Sequence, residues 1–174
     1  MMKLLKSSLL FSFLLVLVAS VAAQKEFSDP NVEYTFTVPN DTWKITVKPS
    51  EGSPNVEYVY KYRNQGHLEI RKLIVEENEL YGDIIRQEEQ SLQFLPGYVA
   101  GKEQNFKGSL TGRVFNYGFV RAGKNMSGRY YFLRPKRNST TVYVLRFTGA
   151  KDTLRSIRNE TDSIARTFDI ANQS

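Results

Sequence analysis

The sequence predicts an α+β fold: an antiparallel β-sheet of about six to eight strands with two main helices. Three observations predict it. Apolar side chains alternate with polar ones over a series of short stretches, the period of a half-buried strand. In two longer stretches the spacing changes to three and four, the period of a helix with one buried face. Turn residues, chiefly Pro, Gly and Asn, fall between the stretches rather than inside them.

Taken in order, Glu33 to Val38 alternates, with Tyr34, Phe36 and Val38 on one face. Pro39-Asn40-Asp41 reads as a turn, and Trp43, Ile45 and Val47 alternate again. Two such strands across a short turn read as a hairpin, with Trp43 in the core. A Ser-, Gly- and Pro-bearing loop from Pro49 to Pro54 precedes Val56, Tyr58, Tyr60 and Tyr62, a third alternating set. Asn64-Gln65-Gly66 turns the chain into Leu68 to Val75. From Glu79 to Leu95 the apolar residues Leu80, Tyr81, Ile84, Ile85, Leu92 and Leu95 mark a helix face, and Pro96-Gly97 ends it. Strands follow at Tyr98 to Phe106, Val114 to Val120, Met126 to Arg134 and Thr140 to Phe147. Gly123 and Pro135 lie in hairpin loops. Asp152 is placed to cap a closing helix, along which Leu154, Ile157, Thr161, Ile164 and Phe168 repeat at three and four.

The chain opens differently. Lys3 and Lys6 precede an apolar run from Leu9 to Ala19, and small residues end at Val21-Ala22-Ala23. That order is the order of a secretory signal peptide, and the run is shorter than the about 20 residues a bilayer span needs. We expect residues 1–23 to be removed, residues 24–174 to form a single globular domain, and no membrane span to remain. There is no cysteine among the 174 residues, which excludes disulfides, a thiol nucleophile and a thiolate metal site, and points to a bacterial rather than a eukaryotic exported protein. The net charge is +6, falling to +4 when Lys3 and Lys6 leave. A modest basic excess suits anionic surfaces. No nucleic-acid motif accompanies it.

Two segments carry a resemblance. The opening Phe36-Thr37-Val38-Pro39-Asn40-Asp41-Thr42-Trp43 joins an aromatic strand, a proline turn and a tryptophan. The closing segment runs from Tyr143-Val144-Leu145-Arg146-Phe147-Thr148-Gly149 to a helix ending in Ala165-Arg166-Thr167-Phe168. In these the chain resembles the PsbP-like superfamily, across nearly its whole mature length. The resemblance implies an antiparallel sheet with the two helices packed on its faces, a PsbP-like α/β/α sandwich. It implies no activity, because that superfamily is largely one of adaptors, assembly factors and envelope proteins.

Nothing in the residues assembles a reaction. His67 is the only histidine, and it shares a strand face with Glu69. One histidine cannot build a multi-histidine zinc site, and beside Gly66 it reads as a solvated strand end. Glu76, Glu77, Glu79, Glu88 and Glu89 lack the spacing of a calcium loop and read as a solvated helix. No nucleophile elbow, phosphate loop or dinucleotide fingerprint occurs. Asn-x-Ser/Thr sequons stand at Asn40, Asn125, Asn138 and Asn159, the last within the closing helix.

The interleaved tyrosines and arginines are the richer signal, since both residue types are enriched at interfaces. Tyr58, Tyr60 and Tyr62, with Arg129 and Tyr131, form the candidate interaction surface. The plainer alternative is that the rings edge the core and the arginine stems cover the sheet. The sequence therefore points to an exported, periplasmic or secreted, non-enzymatic interaction or adaptor domain of the bacterial envelope. It would use no cofactor and would bind an envelope protein partner. The alternative is a small-molecule or lipid carrier, taking lipid or another anionic ligand.

Overall fold

The computed structural model describes residues 24–171. The leader read at residues 1–23 lies outside the described residues. The strands are β1 (Lys25–Phe27), β2 (Tyr34–Val38), β3 (Trp43–Val47), β4 (Val56–Tyr60) and β5 (Gly66–Ile74), followed by helix α1 (Tyr81–Leu92). Then come β6 (Val99–Lys107), β7 (Thr111–Arg121), β8 (Lys124–Arg134) and β9 (Thr141–Ala150). Helices α2 (Lys151–Ser156) and α3 (Arg158–Thr167) and strand β10 (Asp169–Ile170) complete the described chain.

The strands form two antiparallel sheets among the described residues. Seven lie in the order β3-β4-β5-β9-β8-β7-β6, and three in the order β1-β2-β10. The expected hairpin between β2 and β3 is therefore not formed. Val38 pairs with Lys25 of β1, whereas Trp43 pairs with Tyr60 of β4. Alternation reports which face of a strand is buried, not which strand lies beside it. The turn between them instead serves α3. Asn40 Nδ2 and Trp43 Nε1 both donate to Glu160 Oε2, at 3.1 and 2.9 Å.

Alternate residues of the large sheet feed two apolar clusters on its opposite faces. Leu68, Ile70, Tyr131, Leu133, Leu145 and Phe147 join one cluster with Trp43 and the inward residues of β1 and β2. Leu154, Ile157, Ile164, Ala165 and Phe168 of the C-terminal segment belong to the same cluster. The small sheet adds an aromatic layer there, with Phe27 stacked on Phe36 at 4.7 Å and Phe168 5.1 Å from Tyr34. The other cluster joins Phe115, Tyr117, Tyr130, Phe132, Val142 and Val144 to Ile84, Ile85 and Leu92 of α1. Each large side chain so buried contributes roughly 1.5–3 kcal/mol.

Four local expectations change. The closing helix is broken at Ile157, whose φ of −95° and ψ of 18° leave the helical region. No glycine or proline stands there; Ile157 is buried over Gly66, and packing sets the break. Asp152 makes no capping bond and lies inside the first turn of α2, where it pairs with Arg155. Leu80, assigned to the buried face of α1, precedes that helix and is 69% exposed. The helix also ends earlier than Pro96-Gly97: its C-cap is Gln93, and Gly97, at a φ of 60°, turns the chain into β6 instead.

Candidate functional site

The structure does not gather the five residues singled out in the sequence onto one exposed surface. Tyr58 points into the core and is 8% exposed, and burial pushes its phenol up to about 12. Tyr60 is partly buried and tilted against Trp43 at 5.2 Å. Tyr62 lies beyond β4 and is 70% exposed. Lys61 between them takes a φ of 56°, which ends the alternation that would have kept the three rings on one face. Tyr131 is fully buried.

Arg129 and Tyr131 are brought together, but with each other. They share a face of β8, and Arg129 Nε donates to the Tyr131 hydroxyl at 2.6 Å. Arg129 also donates to Asn116 Oδ1 at 2.9 Å and to Asp162 Oδ1 of α3 at 2.7 Å. The Tyr131 hydroxyl donates to the same carboxylate. Burial raises the Tyr131 phenol well above its ordinary range; the Arg129 charge opposes the shift and the Asp162 charge adds to it. This network satisfies a mostly buried charge pair and ties α3 to the sheet.

The opposite face spends its arginines in the same way. Arg146 Nε donates to the Tyr117 hydroxyl at 3.2 Å, and its guanidinium stacks over Tyr130 at 5.4 Å. Tyr117 in turn lies across Gly128, where a Cβ would fall 1.9 Å from its ring. Arg71 binds Glu88 of α1 at 2.7 Å, and Tyr98 donates to Glu89 at 2.6 Å, so those two glutamates are structural ties rather than a solvated cluster. His67 is not a solvated strand end either. It is 9% exposed and bonds Glu57 of β4 at 2.8 Å, rather than pairing with Glu69. Burial would raise the Glu57 carboxyl, but the hydrogen bond and charge of His67, with those of Arg63, outweigh it and hold the carboxyl low. No group of three or more potential metal ligands gathers among the described residues.

Among the recesses of the surface, one cleft lies beside α2. Asn116, Gly118 and Val120 of β7 and Ser127 and Arg129 of β8 face the side on which α2 packs. Leu154 reaches the core from α2, but Gly118, paired with Ser127, leaves a hollow. One recess of about 390 Å³ is lined by Gly97, Val99, Gly118, Val120, Asn125 and Ser127, among others. Its wall is held where the Pro96 carbonyl accepts the Val120 N–H at 2.7 Å. A second recess of about 260 Å³ is lined by Ser127, Arg129, Lys151, Leu154, Arg155 and Arg158, with Gly128. Asn116, Tyr117, Ser127 and Lys151 line both. Among the described residues, four cationic side chains and no carboxylate line the second recess. Arg129 and Arg158 lie 2.7 and 3.9 Å from Asp162, Arg155 pairs with Asp152, and Lys151 has no ion pair among the described residues.

The sequence analysis singled out none of Lys151, Arg155 and Arg158. The available signal was their spacing: Lys151, Arg155 and Arg158 stand four and three apart and fall on one side of a helical path.

No family model matches the chain, and no curated protein matches it. Solved structures do. The Ran-binding protein Mog1p of Saccharomyces cerevisiae aligns over 87% of this chain and 97% of its own, with a TM-score of 0.61 and 11% identity. LpqN, involved in cell envelope biogenesis of Mycobacterium tuberculosis, aligns over 86% of this chain and 92% of its own, at TM-score 0.58 and 15% identity. The cyanobacterial PsbP of Synechocystis sp. PCC 6803 aligns over 88% of this chain and 95% of its own, at TM-score 0.57 and 11% identity. At such identities the likeness is one of fold, and by it the chain has the PsbP-like fold that these proteins share.

Proposed function

We propose that this chain is a non-enzymatic interaction domain of the bacterial envelope, exported by its leader, which docks a protein partner in the cleft between β7–β8 and α2. The observation that carries the reading is where the polar groups are left. On the two faces of the large sheet Arg129 and Tyr131, Arg146 and Tyr117, and His67 are committed to one another or to acidic partners. In the cleft, Lys151 stands without an ion pair among the described residues, beside a hollow that Gly118 leaves open. The layering fits this role, with the sheet as a stiff support between α1 and the α2–α3 segment. Among proteins of like fold, one is a Ran-binding protein and one is involved in cell envelope biogenesis.

The test is capture of partners from envelope extract by the protein purified after export, compared with its Gly118→Phe variant. A Cβ at Gly118 meets nothing closer than 3.8 Å, so a larger side chain fills the hollow without backbone strain. Loss of a captured protein in the variant, with an unchanged melting temperature, is the expected result. Identical capture by both removes the cleft from the account.

A second reading, a small-molecule carrier, has one observation in its favour. The larger recess, about 390 Å³, falls within the roughly 300–1,000 Å³ of small-ligand sites. Native mass spectrometry separates the two readings, because a carrier purifies with ligand that Gly118→Phe displaces.

A further inference from the structure

We infer that the occupant of this cleft is an extended protein segment with acidic residues at one end and apolar residues at the other. This rests on the docking reading above and specifies its partner. The two recesses adjoin, sharing Asn116, Tyr117, Ser127 and Lys151 in their lining, and are chemically unequal. The one beside α2 is lined by Arg129, Lys151, Arg155 and Arg158 and by no carboxylate. The one toward β6 has Lys151 as its only charged lining residue and is otherwise built from small, amide and apolar residues, including Val99, Val120 and Met126. A ligand spanning both meets cations first and apolar surface next.

Charge complementarity sets the sign at the α2 end. Lys151, Arg155 and Arg158 are exposed, so their long stems can follow a ligand at small cost. Arg129 cannot: Asn116, Tyr131 and Asp162 hold its guanidinium. Asp162 offsets the Arg129 charge, so Arg129 is a fixed wall of the recess, and Lys151, lacking an ion pair among the described residues, supplies the free cationic contact. At the other end Val99 is 65% exposed, an apolar side chain left uncovered beside the hollow. Next to it β6 is the last strand of its sheet and, among the described residues, has no strand on its outer side. Unpaired backbone groups along such an edge favour an extended peptide over a helix. A bilayer surface fits less well, because the cations line a recess rather than a projecting face.

The experiment is fluorescence anisotropy with two labelled peptides, Asp-Glu-Asp-Gly-Val-Ile-Val and its neutral isostere Asn-Gln-Asn-Gly-Val-Ile-Val. The acidic peptide should bind the purified exported protein and the isostere at least about tenfold more weakly. Lys151→Glu with Arg155→Glu should weaken the acidic peptide by about tenfold or more, the effect of two contacts of exposed-pair strength. The same double variant should leave the isostere and the melting temperature unchanged. Added salt should weaken the acidic peptide alone. Equal binding of both peptides, insensitive to charge reversal yet blocked by Gly118→Phe, sinks the acidic specificity and leaves the docking cleft standing. Peptide binding that Gly118→Phe does not touch sinks the cleft itself. If neither peptide binds, the inference fails; co-flotation with phosphatidylglycerol but not phosphatidylcholine vesicles, abolished by the double variant, would then assign the cations to a lipid surface.

Discussion

Replacing Trp43 tests how the turn after β2 is tied to α3. Trp43 is 4% exposed, tilted against Tyr60 at 5.2 Å and edge-on to Phe147 at 5.8 Å. Its indole N–H donates to Glu160 Oε2 at 2.9 Å. Trp43→Ala removes the ring, both aromatic contacts and the donor. Loss of a large buried aromatic to alanine costs about 3–5 kcal/mol. Trp43→Phe keeps an aromatic ring in the core and removes the donor with only part of the indole. A hydrogen bond to a charged acceptor is worth about 1.5–3 kcal/mol. Glu160 is partly exposed and keeps the bond from Asn40, so the phenylalanine variant should lose about 1–2 kcal/mol, the lower part of that range. Urea unfolding followed by far-ultraviolet circular dichroism measures both, since either variant removes the chain's one tryptophan and with it the fluorescence signal. A Trp43→Ala cost below about 1 kcal/mol would refute the packing argument. Equal costs for the two variants would show that the hydrogen bond, not the ring, holds the turn.

Three further outcomes follow from the geometry. Ala122 sits at a φ of 49° in the tight loop between β7 and β8, next to Gly123 at 72°; Ala122→Gly should stabilise by roughly 0.5–1 kcal/mol in the same urea assay, the relief of left-handed strain less the added chain entropy. Acid should destabilise the fold through Glu33 and Glu57. Burial would raise both carboxyls, but Lys72 and Tyr143 at Glu33, and His67 and Arg63 at Glu57, hold them below their ordinary values. Their contribution is whole above the ordinary Glu value of about 4.3 and is lost as the pH falls below it. Melting temperatures across that window should drop less steeply in a Glu33→Gln, Glu57→Gln variant. A chain ending at Gly149 loses Leu154, Ile157, Ile164 and Phe168 from the core, comparable at roughly 1.5–3 kcal/mol each to a whole domain's about 5–15 kcal/mol. Such a chain should show no cooperative melting transition by calorimetry.

Particular residues show how far the sequence could be read. Period-two alternation located β2 and β4 because one face of each is buried, and Trp43 was found in the core because Ile45 and Val47 mark its strand, whereas β6 buries Phe106 alone and shows no such face. The short strands β1 and β10 could not be found that way. Phe27 is the one buried residue of β1, and two residues cannot display a period. The tyrosine ladder failed at Lys61, where a left-handed residue breaks the strand with no glycine or asparagine to announce it. The arginines misled for a different reason. Composition marks Tyr and Arg as interface residues, but the same planar groups satisfy one another inside a fold, as Arg129 and Tyr131 do. Nothing in the order of residues reports which of the two uses applies. The cleft is a product of tertiary placement, joining Ser127 of β8 to Lys151 of α2 beside a residue with no side chain, Gly118.

The small sheet has a consequence for the order in which the chain can become a folded object. Its middle strand, β2, forms early in the sequence, yet its two neighbours are the first and last strands of the described chain. Until Asp169 and Ile170 are available, one edge of β2 has no partner, and Phe168 cannot lie against Tyr34 and Phe36. A chain emerging vectorially from a ribosome or a membrane pore thus carries an unclosed aromatic layer until Phe168, Asp169 and Ile170 have emerged. Closure of so distant a contact is slow by comparison with the hairpins of β6 to β9, which are local. During that interval the uncovered layer is what a holding chaperone would recognise, and what a stalled or clipped chain would leave sticky.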